Sequence, residues 1–290
     1  MDGLINAMGA LAGAEGGSGA GSGAVEVVAV RGDVVVVRVG DVVLKAHERG
    51  TDGSALGARL EVARGLGGVL LAPLGPPVEV LGRVVTRWPF GEAVPQSAPE
   101  AFPLVDAGRL LAELHLAPVP PGTPEAGAWS RMVRAVRETP SGAPGADVVR
   151  GAFGTLPDPP RGSALIHGDW HLGQLLRHDG AWRLIDLDDL GWGHPAWDLA
   201  RPAALLLAGV LDGREWDRLL TAYLDAGGPA VDPADPWAAL EAPARALVVQ
   251  MAARALSASV RDGVPLEPAQ EALVATCDRI VSAHRGPRRG

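Results

Sequence analysis

Lysine is nearly absent from this chain of 290 residues. Lys and Arg together number 26 against 34 Asp and Glu, a net charge of −8, yet Lys45 is the only lysine. Arginine serves wherever else a cation is used. Position 45 is therefore a candidate for a place where a planar guanidinium cannot replace a compact ammonium. Cysteine is as scarce: Cys277 stands alone, which excludes a disulfide framework within the chain. Aromatic residues are limited to eight Trp, three Phe and one Tyr, so the core has to be built mainly from aliphatic side chains. The acidic balance argues against general nucleic-acid binding and mildly favours cationic or neutral small molecules. No apolar run approaches the roughly 20 residues of a membrane span. No basic residue precedes Arg31, so the charged start of a secretory signal is missing. A soluble cytoplasmic protein with no membrane or nucleic-acid partner is expected, and nothing in the pattern specifies an oligomeric state.

The apolar fraction of 47% is ample for a core, and 39 glycines and 25 prolines without a repeat period indicate loops and turns. Residues 1–24 are rich in Gly, Ala and Ser. They read as a flexible leader, with Met1 to Leu11 having the composition of a short helix. Strands follow at Val25–Val30, Val34–Val39 and Val42–Ala46, the last two joined by the two-residue turn Gly40–Asp41. A helix is predicted from about Ala55 to Gly65, and Glu61 is its only carboxylate. Val78–Arg87 reads as a strand pair split at Leu81–Gly82, leading into Trp88-Pro89-Phe90-Gly91-Glu92. Pro99–Leu116 has leucines at helical spacing. Pro- and Gly-rich connections over 117–128 and 139–163 surround a helix near Ala128–Glu138. Beyond Ala200 the pattern is helical over Pro202–Leu211, Arg214–Ala226, Trp237–Arg261 and Glu267–Arg285. Gly286–Gly290 reads as a frayed tail.

The densest chemistry lies between Ala164 and Ala200. Leu175–Leu176 and Leu184–Ile185 flank the turn residues His178, Asp179 and Gly180, a hairpin signal. Asp169, set between His167 and His171, comes just before the first arm, and Asp186 comes just after the second. The hairpin would bring Asp169, Gln174 and Asp186 to one end of two paired strands. Two carboxylates and an amide there suit a divalent cation and the withdrawal of a proton from a hydroxyl, the two tasks of phosphoryl transfer. Zinc on His167 and His171 is disfavoured, because the Glu of H-E-x-x-H is missing and Gly168 weakens a helix.

H-G-D-W-H-L-G-Q at 167–174, with I-D-L at 185–187 and G-H-P-A-W-D-L-A at 193–200, resembles the catalytic and metal-binding segments of the aminoglycoside phosphotransferase-like kinases, distant relatives of the protein kinases. Gln174 stands where Asn is usual, and His194 replaces the first Asp of G-D-P-x-x-D-L-A. The loop with Gln174 is similar to that of the maltokinase and glucosamine-kinase branch. The D-F-E-G-E-P sequence and N-terminal cap of that branch are missing, so its substrates are not carried over. The resemblance spans roughly residues 25 to 280.

It implies an α+β, protein-kinase-like bilobal fold. A small mixed β-sheet N-lobe at 25–90 would bind nucleotide. A mainly helical C-lobe at 91–285 would carry the catalytic loop, metal site and acceptor pocket, between the leader 1–24 and the tail 286–290. It also implies ATP- and Mg²⁺-dependent transfer of the γ-phosphate to a hydroxyl of an aminoglycoside, sugar or similar polar metabolite. Asp169 would take or orient the hydroxyl proton, with His167 and His171 bracing the loop. Gln174 and Asp186 would hold Mg²⁺. Asp188, on the same strand face as Asp186, either joins the metal site, contacts substrate or is a solvated loop acid. Lys45 would hold the α- and β-phosphates, as the third-strand lysine of kinases does. Glu61 is its candidate ion-pair partner, although aligning the helix leucines puts the family's Glu nearer Arg59. Arg87 and Trp88 would be the hinge that meets adenine, or a plain interlobe linker. Asp198 braces the catalytic loop or caps a helix, and His115 is a packed structural histidine. Trp170, Trp192 and Trp197 fill the core or present indole faces to the acceptor. The alternative is a nucleotide-binding pseudokinase with a regulatory role, to which the short Arg31–Asp33 loop, Gln174 and the Glu61 assignment contribute.

Overall fold

The computed structural model describes residues 1–15, 24–94 and 102–285. The expected flexible run at 16–23, the start of the helix at 99–101 and the tail at 286–290 lie outside the described residues. The chain opens with α1 (Asp2–Glu15), β1 (Glu26–Arg31), β2 (Val34–Val39), β3 (Val42–Ala46) and α2 (Gly53–Gly65). β4 (Val78–Val80), β5 (Arg83–Pro89) and β6 (Glu92–Ala93) follow, then α3 (Leu104–Leu116), α4 (Ala128–Glu138) and α5 (Ala146–Phe153). Next come β7 (Ala164–Ile166), β8 (Leu175–His178), β9 (Ala181–Leu184) and β10 (Gly191–Gly193). The chain closes with α6 (Ala196–Leu207), α7 (Gly213–Asp225), α8 (Trp237–Asp262) and α9 (Pro268–Arg285). These elements form two compact units.

The first unit holds residues 1–101, 120–124 and 173–188. Its main sheet has the order β1-β2-β3-β5-β4 and is antiparallel throughout. Period-two alternation puts Val35, Val37, Leu44, Ala46 and Val85 in one cluster. Met8 of α1 is fully buried in that cluster, and Leu4, Ile5, Leu11 and Ala12 pack around it. Residues 2–15 of the expected flexible leader are thus a docked helix. Leu4, Met8 and Leu11 recur at helical spacing, a stripe that intervening Gly and Ala dilute. Burying a side chain the size of Met8 is worth about 1.5–3 kcal/mol. Asp52 caps α2 by accepting from the Ser54 and Ala55 N–H groups at 2.9 and 3.1 Å, worth about 1 kcal/mol.

A second small sheet, β6-β8-β9, completes this unit. Asp179 and Gly180 both take positive φ, 49° and 76°, as a two-residue hairpin turn of the favoured twist requires. Leu184 exchanges backbone hydrogen bonds of 2.9 Å with Val69 and Leu71. Through these bonds the segment 173–188 groups with residues 1–101.

The second unit holds residues 102–119, 125–172 and 189–290. α8 runs through its core, with Val248, Val249, Ala252 and Ala253 fully buried among Met132, Val149, Ala152 and Cys277. The expected connection over 139–163 contains a helix, α5, whose Ala146, Val149 and Ala152 are buried. Three apolar positions at helical spacing suffice there despite the flanking Pro and Gly. α6 begins at Ala196 instead of Pro202, so the D-L-A segment is its first turn and Pro202 lies inside it. β7 and β10 pair antiparallel. Among the described residues no helix is long and apolar enough to cross a membrane.

Candidate active site

The residues singled out above fall into two groups, one in each unit. In the first unit β3 places Lys45 opposite Thr86 of β5. Its ammonium donates to Asp186 Oδ1 at 2.5 Å and to Asp188 Oδ2 at 2.7 Å. The Lys45 side chain is 15% exposed, and the two carboxylates are 41% and 38% exposed. Asp186 directly follows the hairpin and has φ 62°. A non-glycine residue in this left-handed region costs of order 1–3 kcal/mol, a kind of strain that gathers at functional sites. Gln174, buried at the end of a single 3₁₀ turn, accepts from the Ile185 N–H at 3.0 Å. Its side-chain amide donates to Asp186 Oδ2 at 3.1 Å.

Charge is strongly coupled in this cluster. Desolvation works against the Lys45 ammonium, but Asp188 and Asp186 outweigh it and raise its pKa. Desolvation likewise opposes the charge on Asp186, yet Lys45 and the Gln174 amide hold its carboxyl below the ordinary value. For Asp188, the His47 hydrogen bond and the Lys45 charge overcome desolvation and hold the carboxyl well below the usual range.

Two expectations need correction here. Glu61 does not pair with Lys45: it forms an exposed ion pair with Arg64, one turn along α2. Leu56, Leu60 and Ala63 occupy the buried side of that helix, which leaves Glu61 toward solvent. Arg59 of α2, not a glutamate, feels Asp188 and Asp52. Arg87 and Trp88 lie inside β5, opposite Leu44 and Val43, so the plain-linker alternative does not hold for them. The Arg87 carbonyl accepts from the Leu74 N–H at 2.9 Å, and the Trp88 indole donates to Thr86 Oγ1 at 2.9 Å.

Sequence reasoning missed His47. It is 1% exposed, with Nδ1 3.2 Å from the Asp188 carboxylate and Nε2 2.8 Å from Thr86 Oγ1. It lies just past the end of β3, two residues after Lys45, and that spacing was the available signal.

In the second unit each carboxylate oxygen of Asp169 meets a guanidinium. Arg201 Nη2 donates to Oδ1 at 2.5 Å, and Arg131 Nη1 donates to Oδ2. Arg131 also pairs with Asp189. Arg201 follows D-L-A directly and was legible; Arg131, on α4, carried no motif. Gly168 has φ 82° and lies against the Asp189 backbone, where a Cβ would collide with the carbonyl oxygen. Only glycine fits there.

Asp198 braces this loop and does not cap a helix. Fully buried, it accepts from the His167 N–H at 2.6 Å and the Gly168 N–H at 2.8 Å. His115 Nε2 lies 3.0 Å from it, and His115 Nδ1 lies 2.8 Å from the Tyr223 hydroxyl. Burial opposes charge on Asp198, but His115 and His167 hold its carboxyl below the ordinary value. His171 is half-buried. Trp170 and Trp197 are buried, whereas Trp192 is 43% exposed, so of the three only Trp192 keeps much of its ring open.

Among the described residues no three His, Cys, Asp or Glu side chains cluster as a metal site. Asp186, Asp188 and the Gln174 amide do offer oxygen donors. Mg²⁺ takes oxygen, keeps several waters, and is commonly held by one or two carboxylates together with substrate phosphates. The donor set fits that ion.

The family model described as the phosphotransferase enzyme family matches residues 33–240. Among solved structures, the chain is similar to a choline/ethanolamine kinase family protein from Mesorhizobium loti. Identity is 20% over 93% of this chain and 90% of that one, with a TM-score of 0.55. It is also similar to macrolide 2'-phosphotransferase from Brachybacterium faecium, 18% identical over 99% of each chain, with a TM-score of 0.53. A third is a thermostable mutant of aminoglycoside phosphotransferase APH(4)-Ia in a ternary complex with AMP-PNP and hygromycin B. It is 15% identical over 91% of this chain and 94% of that one, with a TM-score of 0.61. At such identities the likeness is one of fold, α+β and protein-kinase-like.

Proposed function

This chain belongs to the phosphotransferase enzyme family, and we propose that it moves the γ-phosphate of ATP to a hydroxyl of a small polar molecule such as an aminoglycoside, a sugar or a related metabolite. The observation that carries this reading is the solitary lysine, Lys45, held by the carboxylates of Asp186 and Asp188. Those acids stand where the motif calls for metal-binding chemistry. In the working enzyme Lys45 donates to phosphate oxygens of the nucleotide, as a compact point charge. Asp186 and Gln174 would hold Mg²⁺, with Asp188 beside them on Lys45. When bound, that ion supplies positive charge against the phosphates. Asp169 orients the acceptor hydroxyl and takes its proton, while Asp198 holds the backbone N–H groups of His167 and Gly168. The solved relatives named above are described as acting on or binding unlike small molecules, so the acceptor is set by side chains and not by the fold.

A second reading is a nucleotide-binding pseudokinase. One observation favours it: Arg131 and Arg201 occupy both oxygens of Asp169. An ATP-consumption screen over sugars, aminoglycosides and amino alcohols, run beside Mg-ATP calorimetry, separates the two. Turnover on an acceptor, lowered about 10²–10⁴-fold in kcat by Asp169→Asn with ATP affinity retained, supports the transferase. Tight Mg-ATP binding without turnover on any acceptor supports the pseudokinase.

A further inference from the structure

The two partners of Lys45 are not equivalent. Asp186 also takes the Gln174 amide and belongs to the proposed metal ligands, so its oxygens are wanted elsewhere when nucleotide and metal are present. Asp188 is tied back to the sheet by His47. Helix α2 offers Lys45 no carboxylate, because Glu61 pairs with Arg64 and Arg59 is the α2 charge that Asp188 feels. The lysine is therefore held without help from that helix.

The His47 ring is itself oriented at both ends. An ionised carboxylate can only accept, so the nitrogen facing Asp188, Nδ1, carries the hydrogen. In the neutral ring Nε2 then accepts from the Thr86 hydroxyl at 2.8 Å. The Thr86 oxygen in turn accepts from the Trp88 indole at 2.9 Å. The ring is 1% exposed, and its own N–H donates to the Val84 carbonyl at 2.9 Å, so backbone and side chain are both anchored.

We infer that His47 is a positioning residue for phosphate binding: through Asp188 it keeps the Lys45 ammonium in place, the task that a helix glutamate performs in protein kinases. The inference rests on the proposed nucleotide site and adds to it a residue outside the motif. Its consequence is specific. Loss of the Nδ1 hydrogen bond weakens the hold on nucleotide phosphates and leaves the acceptor side untouched.

The test compares His47→Asn, His47→Gln and His47→Leu in the full-length chain. An Asn amide nitrogen can occupy the place of Nδ1 and donate to Asp188. A Gln amide reaches the place of Nε2 and leaves Asp188 without its donor. The readouts are Mg-ATP dissociation constants by calorimetry, KM for ATP against KM for the acceptor, and Tm as a folding control. His47→Gln and His47→Leu are expected to weaken Mg-ATP about 10–100-fold, the worth of one hydrogen bond to a charged group. His47→Asn should stay within about 3-fold of the wild type, and acceptor KM should not move in any variant. Gln and Leu variants that bind Mg-ATP like the wild type overturn the inference. So does an Asn variant as impaired as Leu, which reduces the ring to packing. If His47→Leu and His47→Gln do not fold, Thr86→Val is read instead: weakened Mg-ATP binding supports the positioning chain, and unchanged binding overturns it. A wild-type chain that binds no Mg-ATP overturns both this inference and the function on which it rests, whereas intact wild-type binding with indifferent variants removes the inference alone.

Discussion

Gln174 shows how much one methylene changes. Gln reaches one C–C bond further than Asn, about 1.5 Å, and the structure uses that reach to put its amide 3.1 Å from Asp186 Oδ2. If the amide belongs to the metal site, Gln174→Ala should nearly abolish Mg²⁺-dependent turnover, and Gln174→Asn should be tolerated or mildly impaired. Titration of ATP consumption against Mg²⁺ checks this; normal turnover by Gln174→Ala removes the amide from the site. The motif made the meeting of Gln174 and Asp186 legible, because a hairpin fixes their spacing. His47 was legible only as a residue two after Lys45. A lone histidine just past a strand carries no motif, and its meaning comes from Asp188, 141 residues away in sequence. Glu61 failed for the converse reason: sequence counts carboxylates on a helix, while the burial of Leu56, Leu60 and Ala63 decides which way the helix faces.

At the scale of elements, the loop that carries Asp169 depends on α6. The Asp198 carboxylate, on its first turn, takes the His167 and Gly168 N–H groups and faces His115 of α3. Its pKa is lowered in the folded chain. A depressed folded value means stability that is present above the ordinary carboxylate pKa of about 3.9 and lost as pH falls below it toward the folded value. Asp198→Asn should therefore flatten the acid limb of the stability curve. It should also cost about 3–5 kcal/mol at neutral pH, as removal of one partner from a buried charged network does. Urea melts at several pH values measure both, and an unchanged acid limb would show that Asp198 does not carry it. α5, which sequence reading overlooked, and α1, which it read as a short helical stretch in a flexible leader, are short or Gly/Ala-rich. Their apolar stripes are too thin to rise above composition, and tertiary packing of Met8 and Val149 stabilises them instead.

For the whole molecule, composition and the 164–200 motif were enough to reach the fold class, since a family pattern specifies topology even when individual helices are weakly signalled. The membership of 173–188 in the first unit was not legible, because it depends on backbone pairing of Leu184 with Val69 and Leu71, which leaves no side-chain pattern. The proposed function requires that Lys45 hold the phosphates of Mg-ATP. With a single lysine, amine-directed labelling followed by peptide mapping reads this position against one internal control, the N-terminal amine. Saturating Mg-ATP should protect Lys45 from the reagent and leave the N-terminal label unchanged. Equal labelling of Lys45 with and without saturating Mg-ATP would contradict the account.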